Sequence, residues 1–184
     1  MAVDPPRYAP GLPLPGRPFK PGTGQSRPAL PSFAPPCRGH PKAESDEAAG
    51  LPFRYGVDLF NGGYWWEAHE IWEDLWRRSP RGTARNHLLK GLIMLAAALL
   101  KGSSGMPRGR RRLLGRGLEY LRRAAAGEAD PIPLGVPLAD LIARYQAWQQ
   151  QAEQLQSHAA LLAGMPRLWL HTDEDSRPHR SPGG

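Results

Sequence analysis

The chain has 184 residues, a formal net charge of +7 and an isoelectric point near 10.1. That balance bears on solubility and on attraction to polyanions, not on fold. The lone cysteine, Cys37, excludes an intrachain disulfide. No Cys/His spacing matches a zinc site, so a reducing compartment, the cytoplasm, is expected.

Of the 21 prolines, 13 fall within the first 52 residues, where apolar periodicity is absent. Proline lacks an N–H and restricts the residue before it, so neither helix nor central strand propagates there. Residues 1–50 are therefore read as a proline-rich, largely disordered arm. Its apolar residues (Tyr8, Leu12, Leu14, Phe19, Leu30 and Phe33) can alternatively lie on the domain surface; the solvated tail is the simpler reading. The opening MAVDPPRYAP has no apolar core of the kind a secretory signal needs.

A core can be built from residues 51–170, followed by a polar, disordered tail over 171–184. Phe53–Asn61 reads as a short helix, with Phe53, Val57 and Phe60 at helical spacing. Gly62-Gly63 breaks it. Tyr64–Arg78 restarts as a helix and stops at Ser79-Pro80. Tyr64, Ala68, Ile71 and Leu75 form its apolar stripe, widened by Trp65, Trp72 and Trp76, with His69 and Glu73 at the border. Glu67, Asp74, Arg77 and Arg78 are placed on the solvent side.

Thr83 is expected to cap a helix running to Lys101. That helix is apolar nearly all round, as suits the central member of a bundle. Its longest apolar run, Leu92–Leu100, is nine residues, too short to cross a bilayer. Arg110–Ala126 is the next helix, with Leu113, Leu114, Leu118 and Leu121 inside and arginines outside. Asp130–Pro137 connects it to a last helix over Leu138–Leu155. Met165–Leu170 is a short apolar segment, extended along the bundle. Short loops between long helices make an all-α, antiparallel bundle of four to five helices, with no sheet.

Four of the six tryptophans lie between Tyr55 and Trp76, and the same stretch carries a recognisable signature. Asn61-Gly62-Gly63-Tyr64, Glu67-Ala68-His69-Glu70, Glu73 and Trp76 resemble domain-of-unknown-function family 309. Lys90-Gly91-Leu92-Ile93 and the alanine-rich run after it fit as well. So do Arg7-Tyr8-Ala9-Pro10-Gly11 and His40-Pro41. The resemblance covers most of Arg7–Trp148 and implies a small all-helical protein, bacterial in origin. It brings no activity with it.

The candidate chemistry gathers on a few residues. His69 and Glu73 are one turn apart and can ligate a metal or form a hydrogen-bonded pair. The run HEIWE lacks the second histidine of a zincin. A divalent site needs three or four ligands. Glu70 is a third candidate and His87 a fourth, should the next helix face this one. The candidate polar pocket thus comprises Asn61, Glu67, His69, Glu70, Glu73, His87 and Lys90, with His69 and Glu73 as the metal candidates. The structural pair is the simpler reading, and no cofactor is called for, with a divalent metal kept open.

Trp66 points away from the stripe and suits either a ligand or the underside of the arm. Arg108, Arg110, Arg111 and Arg112 are candidate phosphate contacts, although no aromatic residues are interleaved for base stacking. A solvated face is the simpler reading of these arginines. The leading expectation is a non-catalytic interaction module with a protein or small-molecule ligand, open to homodimer formation and with no membrane association. A metal-dependent hydrolase built on His69, Glu70 and Glu73 is the alternative. Nucleic-acid association through the arginine-rich helix is the second.

Overall fold

The computed structural model describes residues 6–33, 46–127, 135–154 and 164–171. Cys37, His40-Pro41 and the tail over 172–184 lie outside the described residues. Five helices follow one another: α1 (Asp46–Asn61), α2 (Trp65–Arg78), α3 (Ala84–Ser103), α4 (Pro107–Ala125) and α5 (Leu138–Gln154). Among the described residues there is no strand. Each helix packs on the next in the chain, and the short connections from α1 to α4 turn those helices antiparallel.

The turns are set by local chemistry. Gly63 has φ +85°, which glycine adopts without a steric penalty. There the Tyr64 N–H reaches back to the Leu59 carbonyl at 2.9 Å, and the Gly63 N–H to the Phe60 carbonyl at 3.1 Å. This pair closes α1 as a Schellman motif and satisfies carbonyls that the helix end would orphan. Thr83 caps α3 as expected, its side chain accepting the Asn86 N–H at 3.1 Å.

The start of α1 differs from the sequence reading. The helix begins at Asp46, not Phe53, and runs through Pro52. An internal proline removes one ladder hydrogen bond. Pro52 and the residues after it, Phe53, Tyr55, Val57, Leu59 and Phe60, are buried. Burial on nearly all sides favours continuing the helix through the proline.

The core lies around α3, whose Leu88, Leu89, Leu92, Leu95 and Leu99 are sealed from solvent. α3 and α4 approach closely at a pair of glycines. A Cβ on Gly91 would meet Leu121 at 2.6 Å and the Gly117 carbonyl at 3.2 Å. No helix among the described residues is long and apolar enough to cross a membrane.

Two non-helical segments lie over this bundle. In the first, residues 6–33, Ala9 and Phe19 are buried, and Tyr8, Leu12, Leu14, Leu30 and Phe33 pack against the core. In the second, Met165, Leu168 and Leu170 are buried, as the apolar segment predicts.

Candidate functional site

The helices α1 and α2 present buried acids to the first of the two non-helical segments, and α1 presents an amide to the second. Asp58 lies in the apolar run of α1 and is 3% exposed. Its Oδ2 accepts the Arg7 Nε–H at 2.8 Å and the Ala9 N–H at 2.9 Å, and its Oδ1 accepts the Tyr8 N–H at 2.8 Å. Sequence reasoning missed this residue. The signal available was an acid set among Val57, Leu59 and Phe60, where a charge is tolerated only if paired.

Glu67 departs from the solvent-side position expected on α2: it is fully buried. The arm crosses α2 here, and the Phe19 N–H donates to Glu67 Oε1 at 2.8 Å. Its second oxygen, Oε2, is buried with no hydrogen-bond partner. Burial disfavours the charged form and pushes the Glu67 carboxyl above its ordinary range, against the opposing pull of the Phe19 N–H. Nearby Tyr55 donates its hydroxyl to the Pro13 carbonyl at 2.9 Å. Burial raises its pKa too; Arg7 opposes that shift, and Glu67 and Asp58 add to it.

Trp66 sits under the arm. Its ring centroid is 4.5 Å from that of Phe19, and the Arg27 guanidinium lies 5.8 Å from it. Trp72 is the fully buried member of the aromatic stripe. Trp65 and Trp76 are half-buried, and their Nε1 atoms have no partner. The Lys90 ammonium stands 4.0 Å from the Trp76 ring centroid, joining α3 to α2 by a cation–π contact.

The remaining candidates divide. Asn61 pins the second segment from both sides. It donates to the Leu168 carbonyl at 2.9 Å and accepts the Leu168 N–H at 2.8 Å. The Tyr8 hydroxyl accepts the Leu170 N–H at 3.0 Å, so the arm and this segment also meet. His87 faces Tyr120 of α4, with ring centroids 6.1 Å apart. Only His69, Glu70 and Glu73 come together: one ligand atom from each lies within 4.8 Å of the others, and all three residues are half-buried. His69 Nδ1 is 3.3 Å from Glu70 Oε1 and 4.0 Å from Glu73 Oε2. Arg77 already pairs with Glu73 at 3.2 Å. A groove of 440 Å³ between the arm and α2 is lined by Glu70, Asp74 and Arg78 but not by His69.

On α4 the arginines are not all outside. Arg110 is 6% exposed, with its guanidinium 5.5 Å from the Trp148 ring centroid. It is thereby a packing residue between α4 and α5 and is withdrawn from the phosphate candidates. Arg108, Arg111 and Arg112 are exposed.

Fold and site together define a small all-helical bundle whose buried acids bind its own chain. Residues 53–113 match the family described as Domain of unknown function (DUF309). The resemblance read from the Asn61–Trp76 signature is thereby shown, over a span from α1 into the first turns of α4. A search of curated proteins finds no match.

Proposed function

We propose that the chain is a non-catalytic binding module, acting through its surfaces rather than through a reacting centre. The observation that carries this is the use made of its buried acids. Asp58 and Glu67 hold backbone N–H groups of the arm. Residues with this pattern of burial and charge are elsewhere the first candidates for general acids and bases. Here they are occupied in fastening the chain to itself. With this reading goes a cytoplasmic location, and it leaves the chain open to homodimer formation, which sedimentation of the full chain tests.

One observation favours a second reading, that of a metal-dependent enzyme: the convergence of His69, Glu70 and Glu73. Against it, all three lie on one helix, and Arg77 competes for Glu73. A catalytic divalent site commonly has three protein ligands and an open position within a shaped cavity. The test is isothermal titration of the full chain with zinc and manganese, beside His69→Ala. A module gives no stoichiometric binding that His69→Ala removes. Tight one-to-one binding lost in that variant would displace the non-catalytic reading.

A further inference from the structure

The outer face of α4 carries a concentration of positive charge that the site does not use. Between Arg108 and Arg123 its exposed positions are Arg108, Arg111, Arg112, Gly115, Arg116, Glu119, Arg122 and Arg123. These recur at intervals of three and four, so they form one stripe. At about 1.5 Å per residue the stripe is about 22 Å long. Six arginines face a single glutamate, and Glu119 is already paired with Arg123.

Such a stripe does not serve the helix that bears it. Like charges three or four residues apart destabilise a helix by about 0.2–0.5 kcal/mol per pair. The first turn of α4 has no acid yet contains arginine, which opposes the positive end of the helix dipole. A bound polyanion would relieve both penalties. The other face of α4 is committed to the core, with Leu114, Leu118 and Leu121 buried. No apolar face is left for insertion into lipid, which an interfacial helix requires.

A second observation narrows the occupant. Beside the stripe, between α4 and α5, lies a groove of 280 Å³ lined by Gly115, Leu118, Arg122, Gln146, Gln149 and Gln150. Glutamine amides donate and accept together and can meet the edges of nucleobases. A row of guanidinium groups next to a trough of amides suits a chain with phosphates on one side and bases on the other. The stripe covers about six nucleotides of a stacked strand at roughly 3.4 Å each.

We propose that the outer face of α4, with the α4–α5 groove, binds single-stranded nucleic acid, the arginines holding phosphates and the glutamines facing bases. This rests on the reading of the chain as a binding module and names its ligand class.

The experiment is fluorescence anisotropy of the full chain with a labelled oligouridine about 20 nucleotides long, at about 50 mM and about 200 mM salt. The double variant Arg112→Gln/Arg116→Gln is compared with Arg54→Gln on α1, and circular dichroism checks that each variant is folded. Neutralising about four or five phosphates of a single strand gives a log–log salt slope near −3, hence roughly 60-fold weaker binding at the higher salt. The double variant should bind at least about tenfold more weakly and lower the slope by about 1.4, while Arg54→Gln changes neither. No binding at low salt overturns the proposal, as does undiminished binding by a folded double variant. Equal or tighter binding to polyglutamate, to duplex DNA or to phosphatidylserine vesicles overturns it in favour of that ligand. Because the zinc and manganese titration does not involve α4, a negative oligonucleotide result removes this surface and leaves the module reading standing.

Discussion

Replacing Asp58 by asparagine tests whether a carboxylate, rather than apolar contact alone, fastens the arm. The side chain of Asp58 is 1% exposed and that of Arg7 37%. An asparagine oxygen at the Oδ2 position keeps the Arg7 and Ala9 contacts, without charge. Its amide NH₂ then faces the Tyr8 N–H, two donors against each other. An orphaned buried donor costs about 1–3 kcal/mol. The lost ion pair adds about 1 kcal/mol at most, since Arg7 is partly solvated. The expected loss is about 2–3 kcal/mol, or roughly 5–10 °C in Tm for a chain of this length. It is bounded above by the free energy of docking the arm, because beyond that the arm simply leaves. Urea unfolding gives the magnitude, and hydrogen exchange at the Tyr8 and Ala9 amides gives the location. Arg7→Gln should cost only about 0.5 kcal/mol. A loss under about 0.5 kcal/mol for Asp58→Asn, with both amides still protected, would refute the reasoning.

Three further outcomes are expected. Gly56→Ala places a Cβ 2.2 Å from Trp72 Nε1, inside the sealed α1–α2 contact; overpacking there should cost about 3 kcal/mol, measured by thermal unfolding. Glu67 is raised by burial, so its contribution to stability is complete below the ordinary carboxyl range and is lost as pH rises through the raised value. Glu67→Gln should flatten that limb, and parallel urea midpoints for wild type and variant from about pH 4 to about pH 8 would contradict it. Phe19→Ala removes the ring packed at a tilt against Trp66 and should red-shift tryptophan emission at a cost of about 2 kcal/mol, from lost burial and the aromatic pair.

The helices were legible because their apolar residues recur at the period the core demands. α2 ends at Arg78 and α3 begins after Thr83, where the proline and the capping hydroxyl placed those ends. Burial along α2 follows the stripe through Ala68, Ile71 and Leu75. What periodicity cannot convey is which polar positions are covered by something that is not a helix. Glu67 borders the stripe one turn before Ile71, on the side away from Trp65 and Trp72, where a charged side chain reads as turned to water. The arm that covers it has no periodic signature of its own. Arg110 fails similarly, since only the position of Trp148 on α5 shows that its charge lies over an indole face.

The cover and the acids beneath it have a common physical origin. A segment broken by prolines forms neither helix nor sheet, so its remaining N–H groups have no regular partners. Where the segment is pressed against a core, each such N–H must find an acceptor or bear the cost of desolvation. Helix carbonyls already accept from their own ladder and are poorly placed for a second bond from a crossing segment. Side chains are the readier acceptors, and carboxylates make the strongest such bonds. Tyr8, Ala9 and Phe19 meet carboxylates at 2.8, 2.9 and 2.8 Å. The second segment meets the amide of Asn61 in the same way, through both backbone groups of Leu168. An acid set in an apolar helix is thus what a proline-rich strap requires of its bundle. In a chain carrying both, that pairing accounts for Asp58 and Glu67 without a reaction.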